Sequence, residues 1–190
     1  MKLATLALAL GLASPAFAAA PLSVDFEKNW TYGDEVANTY AADGVTFTNV
    51  LGLSNDADFT YFSGAPSPLG VAFVQLDGIV NTAAYMNVSG GLAGGLSFYT
   101  SATADFEVKA YSGLNGSGTL LGTFTVAANT TDYSVWSQKV FAFSGVAQSF
   151  DLSGANGVAA LDNISAVPEP SSIALMLGGA ALLLARRRRG

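Results

Sequence analysis

Asp105-Phe106-Glu107-Val108-Lys109-Ala110-Tyr111 alternates apolar and polar side chains without a break. Successive side chains of a strand point to opposite faces, so Phe106, Val108 and Ala110 share one face and Glu107, Lys109 and Tyr111 the other. Leu121–Val126 repeats the pattern, with Phe124 and Val126 opposite Thr123 and Thr125. Between the two lies Asn115-Gly116-Ser117-Gly118, whose residue types supply the positive φ angles of a turn. Two period-two strands separated by a glycine-rich turn are predicted.

Working outward, further strands are predicted at Leu22–Phe26, Val45–Val50, Phe59–Phe62, Val71–Leu76, Ala83–Val88 and Leu96–Thr100. Ser134–Phe141, Gln148–Leu152 and Val158–Ile164 complete the set. Turn chemistry separates them at Asp43-Gly44, Asp77-Gly78, Gly90-Gly91, Asn129-Thr130, Ser153-Gly154 and Asn156-Gly157. About ten short strands at this spacing predict an all-β protein, a single β-sandwich or jelly roll. The body has no good helical pattern and no convincing internal repeat.

Composition excludes several kinds of chemistry. The chain has 190 residues, no Cys and no His. Without them there is no disulfide framework, thiol nucleophile, Ser-His-Asp triad or His-containing zinc site. Residues 19–166 hold three Lys, no Arg and thirteen acids, a net charge of −10. A body this acidic repels nucleic acid and anionic lipid. Its length suffices for one core burying roughly 70% of the unfolded surface.

Both ends read as processing segments, so the chain divides into 1–18, 19–166 and 167–190. At the start stand Lys2, the apolar run Leu3–Leu12, then Ser14, Pro15 and Ala16-Phe17-Ala18. A positive head, a short apolar stretch and an A-x-A end predict a secretory signal peptide. Signal peptidase is expected to cut between Ala18 and Ala19, since a cut after Ala20 would place Pro21 beside the scissile bond.

The other end reads Val167-Pro168-Glu169-Pro170, an uncharged run Ser171–Ala185, and Arg186-Arg187-Arg188-Arg189-Gly190. As a helix the run spans about 22 Å, short of the roughly 30 Å hydrocarbon core. Snorkelling Arg side chains and local thinning close part of that gap. Pro170 suits a first helical turn, and Gly178-Gly179 weakens the helix. The positive-inside rule places the four Arg in the cytoplasm and the body outside the inner membrane. The predicted signal peptide requires the same orientation.

This combination resembles the PEP-CTERM sorting signal of Gram-negative bacteria. The resemblance implies recognition by an exosortase, a membrane-embedded transpeptidase, with processing near Pro168, Glu169 and Pro170. Arg186, Arg187, Arg188 and Arg189 then form the cytoplasmic stop. A plain permanent anchor, with no sorting enzyme, is the competing reading. Within the body, Val24-Asp25-Phe26-Glu27, Gly44-Val45-Thr46-Phe47, Val108–Tyr111 with Gly118–Gly122, and Ala160-Leu161-Asp162-Asn163-Ile164 resemble the jelly-roll domains common in such proteins. Similar sandwiches occur among carbohydrate-binding modules.

If the first and last strands are neighbours, Asp25, Glu27 and Asp162 converge, with Asn163 nearby. Carboxylates with backbone carbonyls would make an oxygen-rich Ca²⁺ site. The plainer reading is strand-end acids that face solvent or cap turns, and no other cofactor is expected. Asp56 and Asp58 lack the order of a calcium loop. No two acids are marked as a hydrolytic pair. Trp30, Tyr32, Tyr61, Phe62, Tyr99, Tyr111, Tyr133 and Trp136 would serve as a sugar-stacking platform or, more simply, as core. Asn29, Asn87, Asn115, Asn129 and Asn163 begin N-x-S/T triplets that are expected to stay unmodified.

The leading expectation is an exported, non-enzymatic protein of the cell surface or exopolysaccharide matrix, held transiently in the inner membrane. A carbohydrate-binding module acting on extracellular polysaccharide is the second, and a hydrolase the third.

Overall fold

The computed structural model describes residues 22–54, 62, 64–74 and 83–167. Nine strands carry the fold: β1 Ser23–Val24, β2 Val45–Thr48, β3 Leu51–Ser54, β4 Gly70–Phe73, β5 Tyr85–Ala102, β6 Phe106–Tyr111, β7 Leu120–Val126, β8 Ser137–Asp151 and β9 Ala159–Val167. They form one antiparallel hydrogen-bonded network ordered β3-β4-β9-β5-β8-β6-β7, with β1 added to β9 and β2 to β5. Among the described residues there is no α-helix.

The network folds into a sandwich because β5 and β8 serve both layers. Tyr85–Val88 of β5 pairs with β2, and Gly95–Ala102 pairs with β9. The end of β8 pairs with β6, while its start pairs only with β5. The crossing lies at two irregularities of the β5–β8 ladder, between Asn87 and Leu92 and between Ala93 and Gly95. Gly91, Gly94 and Gly145 take φ of +70°, +90° and +94° there. Only glycine adopts such angles at little cost, so glycine places the bend.

Here the structure corrects the sequence reading. Gly90-Gly91 is no hairpin turn, and the two strands expected on either side are one bent strand, β5. Ser134–Phe141 and Gln148–Leu152 likewise merge into β8. The period-two rule sees each straight half and not the bulge that joins them. β3 was not predicted, and its Gly52 explains why, since glycine weakens a strand signature. The remaining predicted strand cores recur with shifted ends, except that Phe59–Phe62 lies largely outside the described residues.

The opening stretch behaves as its alternation requires. Phe106, Val108 and Ala110 are buried, and their neighbours are exposed or half-buried. The main core joins both layers through Phe26, Phe47, Met86, Phe98, Phe150 and Leu161. Phe124 stacks on Phe141 at 5.5 Å between centroids, and Phe98 meets Phe124 edge-on. A second cluster, Leu51, Leu53, Phe62, Val71, Phe73 and Ala160, is packed by Tyr133 and Trp136.

Trp30 is fixed by position rather than by a strand. Its indole N–H donates to the Phe26 carbonyl at 3.0 Å. Its backbone N–H donates to Ser54 Oγ, whose hydroxyl donates back to the Trp30 carbonyl. The ring lies against Gly52 and Gly70, where a Cβ would collide with it. The Lys28 ammonium sits 4.5 Å from the ring centroid, a cation–π distance.

Candidate functional site

Two features meet on β9. One is the exit of the C-terminal segment, and the other is the carboxylate group read as a candidate metal site.

The exit is built into the sheet. Ala166 pairs with Leu96 and Val167 with Gly95. The strand thus takes in Val167, which the sequence reading had placed in the tail. On the opposite edge β1 runs antiparallel, with Ser23 facing Ser165 and Val24 facing Ile164. The first and last strands are neighbours, as expected. Ala166 N–H also donates to the Leu22 carbonyl at 3.1 Å, so the chain enters and leaves the body at one place. Ala18, Ala19, Pro168, Glu169, Pro170, the run 171–185 and Arg186 to Arg189 lie outside the described residues, as do Asp56, Asp58 and Tyr61. Among the described residues no helix is long and apolar enough to cross a membrane.

The carboxylates lie where β9 changes partner. Ala160 and Leu161 pair with β4, whereas Ile164 and Ser165 pair with β1. At the change, Asn163 takes φ +45°, which Asn tolerates, and Phe26 φ +55°, a costly angle for a bulky side chain. Asp162 is fully buried. One of its oxygens accepts the Ser67 N–H at 2.7 Å and the other the Asn163 N–H at 2.7 Å. Ser67 Oγ donates to Asn163 Oδ1, and Glu27 accepts the Leu69 N–H at 2.9 Å. Asp25 accepts from the Glu27 N–H and from the Tyr40 hydroxyl, each at 3.2 Å.

Burial raises the Asp162 carboxyl to about 6, against the amide hydrogen bonds that lower it, and the charge of Glu27 adds to the rise. Burial, then the charge of Asp25 and the hydrogen bond to it, hold the Tyr40 phenol well above its ordinary value. Asp162 and Glu27 together tie down the segment Ser67–Leu69 that leads into β4. They are a clamp on backbone amides.

In this arrangement the three acids expected to bind calcium are hydrogen-bonded within the protein. Asp25, Glu27 and Asp162 do not gather into a group that could hold a metal ion, and none forms among the described residues. The strands converge, but the carboxylates point to separate backbone donors. The melting temperature is therefore expected to agree within about 1 °C between excess calcium and EGTA, since only a ligand of the folded state shifts it. A calcium-dependent rise in a thermal melt would show a donor set that this geometry lacks.

Among the described residues the aromatics form no exposed platform. Trp30 and Phe62 are buried, and Tyr133 and Trp136 belong to the second cluster. Tyr99 and Tyr111 are half-buried, whereas Tyr32 is 80% exposed. A shallow depression over Ala128–Val135 has Asp132 as its single carboxylate. Sequence reasoning missed Ser67 and the seat of Trp30; isolated glycines such as Gly52 and Gly70 are the signal that could have found the second.

Fold and site define an antiparallel β-sandwich whose final strand runs directly into a C-terminal sorting segment. Residues 166–189 match the PEP-CTERM protein-sorting motif, as the sequence resemblance had implied. A motif of this kind implies export and transient anchoring through the C-terminus. No curated protein matches the chain in sequence. Among solved structures, the chain is similar to the K1 cleaved adhesin domain of Lys-gingipain from Porphyromonas gingivalis W83, with 14% identity and a TM-score of 0.50 over 79% of this chain and 99% of that one. It is more distantly similar to a family 29 carbohydrate-binding module from Piromyces equi, with 10% identity and a TM-score of 0.37 over 67% of this chain and 93% of that one. The adhesin likeness is one of fold, and the module is too distant to add to it.

Proposed function

We propose that this is an exported, non-enzymatic component of the cell surface or exopolysaccharide matrix. Signal peptidase removes its leader, the tail holds it briefly in the inner membrane, and an exosortase processes it near Pro168-Glu169-Pro170. The observation that carries this reading is the sorting motif at 166–189, directly after a folded body. The β-sandwich is then the cargo that the tail delivers.

The test compares cells with and without the exosortase. With the enzyme, the mature protein is expected to lack the tail and to leave the inner membrane. Without it, the protein keeps the tail mass and stays in the membrane fraction. Equal mass and location in both strains would replace sorting with simple anchorage.

A further inference from the structure

We propose that the corner where β5 and β8 cross between the layers is the surface that the body presents to the lipid bilayer while the tail is inserted. This rests on the anchoring reading above and adds the orientation of the body. The first argument is reach. Val167 is held in the sheet by its pairing with Gly95, and the apolar run begins at Ser171. Four residues span at most about 14 Å. The headgroup layer alone fills about 5–7 Å of that distance. The exit corner is therefore pinned at the membrane surface, with Leu22 at the same place.

The second argument is charge. The body carries −10, yet Val88–Ser97, Val140–Ser149 and Ile164–Val167 contain no charged residue. These three stretches build the corner and the exit. Val140 and Val146 are 52% and 53% exposed, and Ala93 and Ala142 are exposed beside them. Asp25, which follows the Val24–Ile164 pair, Asp43, next to Gly44 on the Ser89 side, and Lys139, ahead of Phe141, are the flanking charges. Acids at the other end of the strands, Asp105 and Asp132, sit near the Ala102–Asn129 contact. That end is about 23 Å from Gly95 along β5. An acidic body tethered this tightly to an anionic bilayer is repelled in every orientation but the one that turns its uncharged corner inward.

The chain has no cysteine, so a single introduced thiol reports its own surroundings. The full chain is reconstituted in vesicles of phosphatidylethanolamine and phosphatidylglycerol at about 3:1, an anionic surface. Ala93→Cys and Val146→Cys are then labelled with a membrane-impermeant maleimide, beside Ala127→Cys and Thr131→Cys at the far end. All four positions are exposed. Relative to the same variants in detergent, labelling is expected to slow about fivefold or more at the corner and less than about twofold at the far end, because thiol reactivity follows access. Equal slowing at all four sites, with the tail protected from added protease, would overturn the orientation and leave the anchor standing. A tail that protease removes completely would overturn the anchor, and the orientation with it. Protection that appears only in membranes containing an exosortase would assign the corner to the enzyme and overturn the lipid assignment.

Discussion

Gly52→Ala is expected to lower the unfolding free energy of the body by about 3 kcal/mol or more, the upper range for overpacking a core. A methyl group at this position falls inside the indole ring of Trp30. The ring has little room to withdraw. Its N–H is bonded to the Phe26 carbonyl, and its backbone is bonded on both sides to Ser54. Trp30 is 6% exposed, so moving the ring outward exposes apolar surface and breaks these bonds together. β3 cannot retreat without losing its pairing to β4 at Gly52–Ala72. Urea unfolding followed by tryptophan fluorescence measures the loss. Gly90→Ala is the control, because nothing lies within 4 Å of the added carbon. Equal midpoints for the two variants would mean that the Trp30 seat is not rigid.

The second large effect is a dependence on pH. Asp162 titrates near 6 in the folded body, above the unfolded value of about 3.9. The folded state therefore holds a proton that the unfolded state has released between these two values. Stability falls as pH rises through that window, by about 3 kcal/mol for a shift of about two units. This runs opposite to the usual behaviour of an acid in a salt bridge. Asp132, whose hydroxyl and amide bonds from Ser134 and Thr130 lower its carboxyl, acts in the usual direction. The clean measurement is therefore the difference between wild type and Asp162→Asn, by urea unfolding from pH 4 to pH 7.5. The wild type is expected to lose stability relative to the variant as pH rises. A difference that stays flat would show that the buried carboxylate is better solvated than its surroundings allow.

These two effects mark where sequence reading stops. The strand faces were legible because they are local. Phe106, Val108 and Ala110 alternate over seven residues, and one buried face is enough to fix which way each side chain turns. The lengths of β5 and β8 were not legible. A glycine pair that ends a strand and one that bends it have the same residue types, and only the pairing partners distinguish them. The candidate metal site was half legible. The adjacency of β1 and β9, common in sandwiches, was the condition of that reading and is met, but the direction of each carboxylate was not legible. Asp162 finds Ser67 across 95 residues of sequence, a distance that no local pattern spans.

By itself the sequence determined the sorting tail, the acidic and cysteine-free character of the body, and its all-β class. Charge, hydropathy and period-two alternation are additive along a chain, so they survive without a fold. Tertiary structure alone decided that Asp162 accepts the amides of Ser67 and Asn163, that Trp30 rests on two glycines, and that the last strand ends beside Leu22. Each depends on which distant segments meet, and that is settled by packing both layers around one core.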